Sequence, residues 1–167
     1  MASNIEDLEE KAYRLGVKYE RECTGCAQTA LAAVFDTLGI ENDDVFRSAS
    51  GLADGLGLTG DGSCGALVGG ALAIGYLFGR RRQDLPDMMK PMKSYLLVKE
   101  LHDTFVKTHG TCRCADLQTS LMGRTFNLLD PDQLKAAMEF GMMAHCSKVV
   151  GSAARMATRI ILKERKD

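Results

Sequence analysis

At 167 residues the chain can bury one well-formed core and is too short to make two ordinary domains the expectation, so a single domain over 1–167 is predicted. Its 21 basic residues against 22 acidic ones leave a formal charge of −1, which excludes the broad basic field that draws nucleic acid or an anionic membrane surface. Seventeen glycines, nine methionines and no tryptophan suit closely packed helices better than an aromatic-rich sheet.

The opening MASNIEDLEEKAYR is acidic and polar where a secretory signal has a basic start and an apolar run, so a cytoplasmic protein is expected. Ile5, Leu8, Ala12, Leu15 and Tyr19 recur at spacings of three and four and predict a first helix, with Ser3 and Glu6 spaced as a capping box. Gly25 interrupts; Ala27, Leu31, Val34 and Leu38 then mark a second amphipathic helix that stops at Gly39. Asn42, Asp43 and Asp44 supply a cap and negative charge for a short third helix near Val45 to Ala49.

Residues 51–62, GLADGLGLTGDG, hold five glycines and predict a loop that bends tightly or approaches another group closely, with Ser63 placed to cap the next helix. That helix runs through the most apolar stretch, Cys64 to Gly79, which is shorter than the roughly 20 residues of a membrane span and reads as a buried central helix. Gly65 and Gly69, then Gly75 and Gly79, stand four apart and predict close approach of another helix, either within the chain or from a second copy in a homodimer.

RRRQDLPD is a polar connector, and Pro91 opens a helix striped by Leu97, Val98, Leu101 and Phe105 that ends at Gly110. A short cysteine-bearing segment, TCRCADLQTSL, follows. Asp130, Pro131 and Gln133 form a helix start, and the last helical region continues through Met142, Cys146, Val149, Ala153, Met156 and Ile160 to the basic end KERK. With no strand alternation anywhere, the predicted class is all-α, a helical bundle around a glycine-rich central helix.

Six cysteines are the chemical signal: Cys23 and Cys26 as C-x-x-C, Cys64, Cys112 and Cys114 as C-x-C, and Cys146. In a reducing compartment such thiols stay free unless they bind metal or cycle through disulfides. Cys26, Cys64 and Cys114 each fall at an expected helix start, where unpaired N–H groups and the helix dipole favour thiolate, the form that ligates metal and attacks disulfides. Cys146 lies on an apolar stripe, where a buried thiol can simply fill space. The residues leave three readings open: a bound cluster or metal, a thiol-disulfide pair, or inert core cysteines. The compact four-cysteine run of ferredoxins is absent, so any cluster has to be assembled from distant helices.

The segment GCAQTAL, the glycine loop leading into CGALVGGALAIG, the C-x-x-L from Cys114 to Leu117 and the C-x-x-V-V from Cys146 match in order the pattern of the C-GCAxxG-C-C family. The resemblance runs from about residue 10 to 160 and implies a helical fold and redox activity without naming the reaction. It also implies that Cys26, Cys64, Cys114 and Cys146 act together, and four thiolates suffice for an iron-sulfur centre. Cys23 and Cys112 are additions to the pattern and stand as further candidate ligands. The resulting expectation is an iron-sulfur protein that carries electrons to a redox partner. The alternatives are a thiol-disulfide oxidoreductase using the C-x-x-C or C-x-C pair, and a zinc-stabilised interaction module.

Other motifs point elsewhere. Gly55, Gly57 and Gly60 spell G-x-G-x-x-G, but without a preceding strand the phosphate-binding geometry is missing. His102, His109 and His145 read as solvated or capping histidines, Arg80 to Arg82 as a solvated helix end, and Arg124 as a candidate anion contact.

Overall fold

A computed structural model describes residues 5–165. The described residues form eight α-helices in the order α1 (Ile5–Cys23), α2 (Cys26–Leu38), α3 (Asp43–Ser48), α4 (Gly65–Phe78), α5 (Met92–His109), α6 (Cys114–Met122), α7 (Pro131–Phe140) and α8 (Met142–Glu164). Among the described residues no strand forms, and Ser63 and Arg113 share only an isolated antiparallel bridge. The all-α bundle expected from the sequence is therefore the fold. The capping role expected of Ser3 lies outside the described residues.

The main core is shared by α1, α2, α4, α5 and α8, and its largest fully buried side chains are Phe105, Leu31, Ile74 and Leu101. Two seams of small residues set how closely its helices approach. Along the first, α1 meets α8 backbone to backbone: a Cβ on Gly16 would come within 2.9 Å of Gly151 Cα, and one on Gly151 within 2.7 Å of the Tyr13 carbonyl. Flanking ion pairs fix the register, since buried Glu9 takes two hydrogen bonds from Arg159 and Glu10 pairs with Arg155, whose guanidinium lies over the Tyr13 ring. Along the second seam α4 lies on α2, where a Cβ on Gly69 would overlap the Ala27 carbonyl and one on Gly65 the Cys26 sulfur.

The predicted four-glycine stripe of α4 is thus used only in its first half. Gly70 makes room for Leu101 and Ala157, whereas Gly75 faces open space and Gly79 ends the helix. The close-packing glycines are taken up inside the chain. Ser63 does not cap α4 either; Cys64 holds that position.

Caps delimit the outer helices. Asn42 Oδ1 accepts the Val45 N–H, Pro91 immediately precedes α5, and Asp130 accepts from the Asp132 and Gln133 amides at the start of α7. The Gln133 side chain reaches back further than expected and accepts the Asn127 N–H. The last helical region is two helices, because Gly141 adopts φ +84° and breaks the path between α7 and α8. A smaller apolar cluster of Met122, Phe126, Ala137 and Met142 packs beneath α7, beside Cys146. No helix among the described residues is long and apolar enough to cross a membrane.

Candidate redox centre

Four elements bring their cysteines to one place. Cys26 is the first residue of α2, Cys64 caps α4, Cys114 opens α6, and Cys146 lies in the first turns of α8. All four line a single small cavity of about 30 Å³, together with Glu20, Asp54 and Gln118. All six cysteines of the chain are free thiols.

The glycine loop supplies the polar wall. Residues 54–58 all have positive φ, three of them without the freedom of glycine: Asp54 (+48°), Leu56 (+75°) and Leu58 (+63°). Each non-glycine residue held in that region costs about 1–2 kcal/mol. The turn is fastened by Gly60 N–H to Asp54 O (2.8 Å) and Gly62 N–H to Gly55 O (2.9 Å), and a side chain on Gly55 would run into Gly60. The outcome is that Asp54 turns inward and is 5 % exposed.

Asp54 then organises the sulfurs. Its backbone N–H points at Cys26 Sγ (3.4 Å), and its Oδ1 accepts from the Cys114 thiol (3.0 Å) and from Gln118 Nε2. Gln118 Nε2 also lies 3.5 Å from Cys114 Sγ. Amides at the start of α4 face two sulfurs: the Gly65 N–H faces Cys26, and those of Ala66 and Leu67 face Cys64. Cys112 takes part through its backbone alone, its carbonyl accepting the Cys64 N–H at 2.7 Å. On the far side Glu20, 3 % exposed, accepts the Thr29 hydroxyl at 2.6 Å.

Helix starts were expected to favour thiolates, and burial reverses that preference. Loss of water pushes the Cys26 and Cys146 thiols up to about 12, with the Glu20 and Asp54 charges adding to it at both and that of Cys26 at Cys146. Cys64 and Cys114 are raised further by burial, and the hydrogen bond that Cys114 donates to Asp54 also holds its proton. Burial raises Asp54 and pushes Glu20 up to about 7 against the opposing Thr29 hydrogen bond. Burial thus shifts each of these groups toward its protonated form, and among the described residues no basic side chain lines the cavity to oppose that shift.

The other candidates lie apart from this centre. Cys23 is exposed at the end of α1, and Cys112 packs half-buried against the main core, so neither side chain lines the cavity. His102 meets Asp103, His109 pairs with Ser152 Oγ (3.1 Å) beside Phe105, and His145 neighbours Phe140. Arg124 lies over the Phe126 ring, which accounts for it without an anion. Arg80 ties the connector by donating to the Leu85 and Asp87 carbonyls. Among the described residues no strand precedes the G-x-G-x-x-G loop. Glu20 of α1, Asp54 of the glycine loop and Gln118 of α6 were missed from the sequence, because they meet only where these three elements come together.

Among the described residues, no three His, Cys, Asp or Glu side chains are arranged to hold a metal ion. Asp54 Oδ2 is nonetheless buried without a hydrogen-bond partner, and the donor set at the cavity is four soft thiols. In number and kind those donors fit an iron-sulfur cluster; in spacing they do not converge on a single metal.

The chain is similar to an uncharacterized protein of Archaeoglobus fulgidus, 28 % identical over 135 residues, which covers 78 % of this chain and 85 % of that one. No solved structure matches it. The family model described as "Putative redox-active protein (C_GCAxxG_C_C)" matches residues 24–160, a span that contains all four cavity cysteines and leaves out Cys23. With its signature sulfurs gathered at one cavity and most of its length matched, the chain belongs to the C_GCAxxG_C_C family.

Proposed function

We propose that the four-cysteine cavity is the reactive centre of a redox protein, and that Cys26, Cys64, Cys114 and Cys146 hold an iron-sulfur cluster through which the protein carries electrons to a partner. The observation that carries this reading is the meeting of four signature sulfurs, from four separate elements, at one small cavity. In a cluster different sulfurs bind different irons, so they need not converge on one atom as the ligands of a single zinc do at about 2.3 Å. A zinc module therefore finds less support in this arrangement.

When bound, the cluster supplies one-electron exchange. The chain contributes the rest. The amides of Asp54, Gly65, Ala66 and Leu67 point at Cys26 and Cys64 and stabilise negative charge on those sulfurs. Val149, Val150 and Leu117 help keep water out. Asp54 Oδ1 is placed to take the proton that Cys114 gives up on becoming a ligand. At about 30 Å³ the cavity holds little more than one water, so loading must widen it.

That small size, with the hydrogen bond from the Cys114 thiol to Asp54, favours a second reading as a dithiol oxidoreductase. Two cavity thiols would close to a disulfide, and their two electrons and two protons would reduce a disulfide substrate to two thiols.

Anaerobic purification followed by iron, sulfide and zinc analysis and a visible spectrum separates these readings. A brown protein whose charge-transfer absorption bleaches on reduction is the expected result. Colourless, metal-free protein that reduces a disulfide overturns the cluster in favour of the dithiol, and stoichiometric zinc without sulfide overturns both.

A further inference from the structure

A second, larger cavity of about 250 Å³ adjoins the four-cysteine centre and shares Glu20, Cys26 and Asp54 with it. Apart from Thr24, its remaining side-chain walls are apolar: Leu58 from the strained turn, Leu128 ahead of α7, Leu134 and Met138 of α7, and Met142 and Met143 of α8. We infer that this cavity binds a small, uncharged, largely apolar molecule bearing one O–H or N–H donor, and brings it against Cys26.

Three observations define that ligand. The volume exceeds the roughly 150 Å³ of an apolar cavity that takes a single benzene ring, which points to a two-ring body. The donor follows from Asp54, 5 % exposed, whose Oδ1 is engaged by Cys114 and Gln118 while Oδ2 has no partner. Buried acceptors are almost always paired; Oδ2 is itself closed off from solvent, so a small shift of the Asp54 side chain at its end of the cavity would let a ligand donor pair it. Finally, the only acidic or basic side chains lining the cavity are the carboxyls of Glu20 and Asp54, which disfavour an anion. Flexible thioethers let the apolar walls adjust to the ligand. Entry is past α7, the outer wall, where Leu134 is 43 % and Met138 52 % exposed.

The inference deepens the redox reading and rests on it only for what contact with Cys26 means. The test is fluorescence titration of the full-length protein with 2-naphthol, 2-methoxynaphthalene, which lacks the donor, and 2-naphthoate, which is an anion. We expect saturable binding of 2-naphthol, with both other probes weaker by about tenfold. Met138→Trp and Leu134→Trp, at exposed positions the fold tolerates, should each weaken 2-naphthol at least tenfold. Asp54→Asn should erase the preference for naphthol over its methyl ether, since asparagine tolerates the left-handed backbone found there. Absence of saturable 2-naphthol binding, equal binding of the methyl ether, or indifference to both tryptophans overturns the inference. Iron measured on the same samples keeps the two claims apart. Naphthol binding without iron would sink only the cluster, and full iron without naphthol binding only this cavity.

Discussion

The two sides of the cysteine centre are built differently. On one side α1, α2, α4 and α8 meet through glycine and alanine at backbone distance, and they carry Cys26, Cys64 and Cys146. On the other side α6 brings Cys114, and α7, which makes its main contacts with α8 and buries only Ala137, walls the larger cavity. The contrast separates two tasks. Small-residue seams hold three sulfurs in place, and a lightly packed flank leaves room for loading and access.

The largest effect should come from the seam. Gly151→Ala drives a methyl group into the Tyr13 carbonyl and the Val17 side chain, and overpacking of this kind costs typically about 1–3 kcal/mol. Denaturant unfolding should show that loss in full, and an unchanged midpoint would deny that the seam sets the packing.

Next comes the buried acid at the border of the two sides. Glu20 titrates near 7 in the folded chain, against an ordinary value of 4.5, so the folded state holds its proton more tightly. Its contribution to stability is therefore greatest below pH 4.5 and is lost as pH rises through 7. In metal-free protein Glu20→Gln should flatten the fall in stability between pH 5 and 8, and an unaltered slope would assign that fall to another group.

The smallest effect belongs to the flank. Asp130→Ala removes the cap of α7, and such losses are typically about 1 kcal/mol. Hydrogen exchange should quicken in α7 while the seam helices keep their protection; equal quickening in α1 would show that flank and seam open together.

Much of this was legible in the sequence. Helical periodicity located the helices, and Gly39, Gly110 and Asp130 marked ends that the backbone uses. Three cysteines at helix starts pointed to a shared site, and the family pattern added Cys146. The rest depends on contacts between residues far apart in the chain. Gly16 and Gly151 look like ordinary helical glycines until α1 lies against α8. Asp54 resembles any loop aspartate until five successive left-handed residues turn it inward. Burial also reversed the expected ionisation of the thiols, because desolvation by a folded core leaves no trace in local sequence.

The central claim is that Cys26, Cys64, Cys114 and Cys146 act as one ligand set while Cys23 and Cys112 stand outside it. Iron bound per chain after anaerobic reconstitution, compared across six single Cys→Ser variants, tests it most directly. Each of the four cavity variants should lose bound iron, and Cys23→Ser and Cys112→Ser should keep it. Iron retained by Cys64→Ser, or lost equally from Cys23→Ser, would contradict that claim.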